Sequence, residues 1–193
     1  MHPSLLALRD IREKLNEYVY MAEAFYTKDR NDFTRMICVK AYFTYLEGTI
    51  YAFKQVILNF ESIFSPIPHS GARIILFSDE QRAMLAEFTY DLSGHTARKS
   101  TYYPKFGDNI KFTFAMFHHA LDLPNDVDYN NVGWNRVLEA QKIRNRLTHP
   151  KSRECLTVTD QELELVEEAV GWYEENANRA LERMRESKNA RWA

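Results

Sequence analysis

Residues 32–64 read DFTRMICVKAYFTYLEGTIYAFKQVILNFESIF, and this run decides the fold. Met36, Val39, Phe43, Leu46, Ile50, Phe53, Ile57 and Phe60 recur every three or four positions along it. That spacing places them on one side of a helix and predicts a long buried-face helix from Asp32, as its cap, to about Phe64. Working outward, Leu5, Leu8, Ile11, Leu15, Tyr18 and Ala22 repeat the pattern and predict a first helix from Ser4 to about Tyr26. The polar run Thr27-Lys28-Asp29-Arg30-Asn31 separates the two.

Beyond them, Ser65-Pro66-Ile67-Pro68-His69-Ser70-Gly71 has turn composition, and Arg73 to Phe77 is a candidate short extended piece. Ser78 and Gln81 have capping-box spacing and open a third helix, expected to run to about Leu92 with Gly94 beyond its end. Residues 94–107 read as a polar, basic loop. Asp108 can cap a fourth helix through Leu121, and Pro124 to Asn130 is a linker. A fifth helix is expected from Val132 to Thr148, with His149 at its end, because Pro150 disfavours helical backbone at the residue before it. Thr159 and Glu162 form a second capping box for a last helix, Asp160 to about Ser187. The expectation is an all-α bundle of five to six helices forming a single domain over residues 1–193.

Bulk properties narrow the function. With 193 residues, 45% hydrophobic and 27% charged, the chain has room for a sizeable core. Six Gly and six Pro favour long helices over many turns. A net charge of -2 excludes a broadly basic surface, so nucleic acid would have to meet a local patch. Cys38 and Cys155 are too far apart in sequence for zinc-finger spacing; Cys38 reads as a core residue, and a reduced, cytoplasmic setting is expected. Met1 to Asp10 lacks the basic and apolar regions of a signal peptide, and no run is long enough to span a membrane.

Chemistry concentrates in Arg144-Asn145-Arg146-Leu147-Thr148-His149-Pro150. Histidine titrates near neutrality, and arginine is a permanent cation suited to phosphate. On a regular helix Arg144 and His149 stand about 140° apart and flank a strip of surface. Leu147 and Ala140 point toward the core, and the Asn145 amide can hold Arg144 or His149 in one rotamer. Lys142, Arg144, Arg146, His149, Lys151 and Arg153 form a cationic stretch with no acidic residue among residues 142–153. The alternative is a solvated helix end, where cations suit the helix dipole.

This motif resembles that of the HEPN superfamily, helical bundles carrying Arg-x(4–6)-His with Asn often following the arginine. The resemblance is sharp over about a dozen residues and architectural over the rest. It implies a homodimer in which Arg144 and His149 of both protomers line one cleft. It also implies metal-independent RNA cleavage, with no cofactor. His149 would take the 2′-OH proton, Arg144 would stabilise the transition-state charge, and a 2′,3′-cyclic phosphate would result. The family's usual roles imply a toxin or defence effector, with an antitoxin or regulatory protein as a further partner. The alternative is a catalytically inactive module of the same type that binds RNA or a partner protein. A third reading is a purely structural bundle with ordinary helix-end contacts.

Other groups are weaker candidates. Arg98, Lys99 and Lys105 lie with Tyr102 and Tyr103 in the basic loop, where cations could meet phosphates and rings could stack on bases; an ordinary exposed loop is the competing reading. Glu47 lies amid apolar residues and reads first as a rim glutamate paired with Lys54, whereas the resemblance implies that it orients Arg144. His118, His119 and Asp122 carry metal-ligand chemistry, but adjacent histidines diverge by about 100° on a helix, and no metal site is expected.

Overall fold

The computed structural model describes residues 2–60, 63, 77–93, 96–102 and 104–192, with the backbone alone at 90–93, 96–99 and 188–192. The fold belongs to the all-α, helical-bundle class, with six helices among these residues. They are α1 (Pro3–Lys28), α2 (Asp32–Leu58), α3 (Asp79–Leu85), α4 (Phe106–Ala120), α5 (Val132–Thr148) and α6 (Asp160–Trp192). A 3-10 turn, Arg153–Leu156, joins α5 to α6. None of the described helices is long and apolar enough to cross a membrane. The turn segment at 65–71 and most of the extended piece suggested for 73–77 lie outside the described residues.

Local chemistry sets the boundaries. α2 is capped by Asn31 and not by Asp32: the Asn31 side chain accepts from the Thr34 N–H at 3.0 Å, and Thr34 Oγ1 accepts from the Asn31 N–H at 3.1 Å. Asp32 is free to pair with Arg35 instead. Both expected capping boxes form, Ser78 with Gln81 and Thr159 with Glu162. α5 begins after an Asn131 cap on the Trp134 N–H and ends at Thr148, ahead of Pro150.

The third helix departs from expectation. It stops at Leu85, because Glu87 adopts a left-handed backbone with φ of 54° and turns the chain. An antiparallel pair follows, β1 (Phe88–Ser93) with β2 (Thr96–Thr101), in a register from Phe88 opposite Thr101 to Ser93 opposite Thr96. Residues 96–101 of the stretch expected as a basic loop are therefore strand, and Arg98 and Lys99 pair with Asp91 and Tyr90 across the ladder. α4 also starts earlier than Asp108, at Phe106, without a side-chain cap.

Packing gathers the chain into two compact units. One comprises Met1–Leu8, Ile50–Asn125 and Arg183–Ala193, the other Arg9–Thr49 and Asp126–Glu182. The physical reason is the length of α1, α2 and α6, each of which contributes residues to both. The first unit buries Phe117 in ring contact with both Phe53 and Phe60, with Leu85, Ile110 and Phe114. The second buries Cys38, Val39, Phe43, Leu46, Ile143, Leu147, Val166 and Tyr173. It also holds an aromatic trio of Tyr129, Trp134 and Trp172.

Candidate functional site

The Arg144 motif lies wholly in the second unit, and α2 and α5 build its surroundings. Residues three and four apart share a helix face. Lys40, Thr44 and Glu47 of α2 and Arg144, Leu147 and Thr148 of α5 line one groove of about 400 Å³, with buried Val39 and Phe43 beneath. The groove thus has an apolar floor and a rim of two cations, one carboxylate and two hydroxyls. Ala140 and Leu147 face the core, as the helical period requires.

Arg144 is held on two sides. Its Nη2 donates to Glu47 Oε1 at 2.7 Å, and its Nη1 donates to Asn145 Oδ1 at a long 3.4 Å. Glu47 does not pair with Lys54, which is fully buried in the other unit and bonded to Glu87 at 3.0 Å. The Arg144 side chain is 33% exposed and that of Glu47 45%, so solvent reaches the pair. Such a contact fixes orientation more than it stabilises the fold.

His149 is exposed and has already left the helix, with φ of -126° and ψ of 62°. The 140° separation expected on a regular helix therefore does not hold, because the constraint from Pro150 takes effect at His149 itself. The His149 N–H still donates to the Asn145 carbonyl at 3.0 Å, which ties the residue to the last turn. Its imidazole makes no hydrogen bond or ion pair among the described residues, so Asn145 supports Arg144 alone.

No protein-family model, curated protein or solved structure matches this chain.

The other sequence candidates divide. Lys142, Lys151 and Arg153 are exposed cations. Lys142 stands about 200° around α5 from Arg144, which puts it on the opposite side of the helix. Arg146 is committed elsewhere: its Nη2 donates to the Thr157 carbonyl and to Glu162 Oε2, both at 2.9 Å. It fastens α5 to the start of α6, while its side chain stays 32% exposed. Arg98 and Lys99 stand on β2 in the first unit, on a strand and not a loop.

His118 is 2% exposed, and its Nδ1 lies 2.8 Å from the Phe114 carbonyl of its own helix, so it is a packing residue. No cluster of three metal-ligating side chains occurs among the described residues. Burial pushes the Cys38 thiol up to about 11, as expected for a core cysteine. Cys155 is shifted down by backbone hydrogen bonding from Lys151, with Ser152 adding to it.

Lys40 was missed by sequence reasoning. It lines the groove, is exposed, and forms no ion pair among the described residues. The signal existed: Lys40, Thr44 and Glu47 sit at i, i+4 and i+7, a polar stripe beside the apolar one.

Proposed function

We propose that this protein is a metal-independent endoribonuclease of the HEPN type, acting as a homodimer with a composite site of Arg144 and His149 from each protomer. The observation that carries this reading is an oriented cation on α5 followed, five residues on, by an unengaged imidazole. Arg144 is fixed at a groove wall by Glu47 at 2.7 Å, and His149 stands exposed just past the helix end. A fixed guanidinium and a titratable ring are what RNA transesterification needs.

In this reading His149 accepts the proton of the ribose 2′-OH. The oxygen attacks the neighbouring phosphorus, and the bond to the 5′ oxygen breaks. The partner's protonated His149 returns a proton to that leaving oxygen. The products are a 2′,3′-cyclic phosphate and a 5′-hydroxyl. Arg144 meets the charge that builds on the phosphoryl oxygens, and Asn145 supports it. Exposed Lys151 and Arg153 continue the chain from His149 and supply sequence-independent phosphate contacts. A role as toxin or defence effector in the cytoplasm, restrained by an antitoxin or regulatory protein, belongs to the same proposal and rests on the motif's resemblance.

One observation favours the second reading, a catalytically inactive module that binds RNA or a partner protein. Glu47 already occupies part of the Arg144 guanidinium. The test is cleavage of total cellular RNA in EDTA by the purified protein beside His149→Ala and Arg144→Ala. Loss of a single acid–base group is expected to cost roughly 10²–10⁴-fold in rate. Cleavage to cyclic-phosphate ends by the parent and not by the variants supports the nuclease. Absence of cleavage by a folded, dimeric parent transfers the conclusion to the binding module.

A further inference from the structure

Resting on the RNA reading above, we infer that the outer stripe of α2, carrying Phe33, Lys40 and Thr44, is the track that seats single-stranded RNA beside Arg144. Phe33, Ile37, Lys40, Thr44 and Glu47 fall at i, i+4, i+7, i+11 and i+14. At 100° per residue they lie within about 80° of arc, so they form one continuous stripe. Its lower part, Lys40, Thr44 and Glu47, is the α2 wall of the groove that contains Arg144. Its upper part ends in Phe33, a phenyl ring 58% exposed.

The charges select the ligand. Glu47 and Arg144 compensate one another at 2.7 Å, which leaves Lys40 as the uncompensated charge on this rim. Arg35, another cation near this end of α2, is tied to Asp32 and Asp160 and to the Val158 carbonyl. The Thr44 and Thr148 hydroxyls donate to the Lys40 and Arg144 carbonyls of their own helices, so the lysine is the group on this rim that suits a phosphodiester. Lys40 and Phe33 are seven residues apart, about 10 Å along the helix. A cation and an exposed ring at such a separation can engage backbone and base of the same strand. Stacking on an aromatic face requires an unpaired base, so the stripe fits a single strand and not a duplex. Lys40 and Phe33 are positioning residues: they hold the strand and do not touch the reacting atoms.

The test uses the full chain with His149→Ala, so that bound RNA is not cut. Binding of a fluorescent unstructured RNA oligonucleotide is followed by anisotropy over a range of potassium chloride concentrations. Lys40→Ala is expected to weaken binding several-fold and to reduce the salt slope by about 0.7, the value for one phosphate contact on a single strand. Lys40→Arg should retain the slope. Phe33→Leu should weaken binding by about five-fold or more with the slope unchanged, and an RNA duplex should bind less well than the strand. Lys28→Ala, an exposed lysine outside the stripe, is the control. If RNA binds and both stripe variants behave like that control, the α2 track is wrong and the RNA reading survives. Equal binding of duplex with no Phe33 effect also overturns the track. If the folded protein binds no RNA at any salt concentration, both readings fall together.

Discussion

Replacing Glu87 by Gln should expose the cost of a buried lysine. Lys54 has no side-chain exposure, and its Nζ donates to Glu87 Oε1 at 3.0 Å and to the Met84 carbonyl at 3.5 Å. Burial is the leading influence and lowers the Lys54 pKa; the Glu87 bond and charge oppose it. Removing one partner of a buried pair typically costs about 3–5 kcal/mol. An upper bound comes from proton release: neutralising a lysine at pH 7 from an unfolded pKa of about 10.4 costs about 1.4 kcal/mol per pH unit, or about 4.6 kcal/mol in total. Glu87→Gln should therefore lose about 3–4.6 kcal/mol in urea denaturation at pH 7.

The sign with pH follows from the same shift. A lysine whose folded pKa lies below its unfolded value carries its full penalty at pH values below the folded one. That penalty is relieved as pH rises from the folded pKa toward the unfolded one. Without Glu87 the folded pKa falls further, so the variant should regain stability between neutral pH and about pH 10. In a Lys54→Met background, Glu87→Gln should cost little, because no buried charge remains to be stranded. Glu87→Gly should be milder than Glu87→Ala by about 1 kcal/mol, since φ of 54° is left-handed. A loss below about 1 kcal/mol for Glu87→Gln, or the same loss with Lys54→Met, would refute this account.

Two further outcomes concern packing and the site. At Gly133 a Cβ would lie 2.2 Å from Trp172 Cδ1 and 3.0 Å from Trp172 Cβ. Gly133→Ala should lose about 1–3 kcal/mol in thermal or urea unfolding, the usual cost of overpacking, unless the aromatic trio can shift. Arg146→Ala should cost about 1 kcal/mol of stability, because it frees the Thr157 carbonyl and the Glu162 carboxylate that caps α6, while the salt slope of RNA binding stays unchanged. A fall in that slope would place Arg146 on the RNA surface.

Sequence periodicity found the helices where burial and capping act together. Val132 to Thr148 was legible at both ends, because Asn131 caps the first turn and Pro150 stops the last. The strand pair was missed for a physical reason. Phe88-Thr89-Tyr90-Asp91-Leu92-Ser93 alternates apolar and polar, but over only six residues directly after a strong helix start. The Ser78 box argues for helix, and nothing local announces that Glu87 will turn left-handed, since its carboxylate answers Lys54 more than thirty residues earlier. The Arg144 contact with Glu47 joins residues 97 apart in sequence. Helical spacing favours Lys54 as the partner of Glu47, and only the motif's resemblance suggested Arg144, which is the residue Glu47 meets. The choice came from burial: Lys54 faces inward with no exposure, and Glu47 faces outward beside Lys40 and Thr44.

That outward face bears on how Arg144 can serve a phosphate while paired. A guanidinium has five N–H donors in a rigid fork. Glu47 takes one from Nη2 and Asn145 one from Nη1, which leaves donors for another anion. Summed formally, Lys40, Arg144 and Glu47 give the groove a charge of +1, from two cations less one carboxylate. One phosphodiester balances that charge without displacing Glu47. The carboxylate then acts as a brace that holds the fork in one orientation, and Lys40 supplies the attraction that a neutralised Arg144 lacks. This division of labour reconciles an arginine engaged within its own chain with the proposed binding of a polyanion.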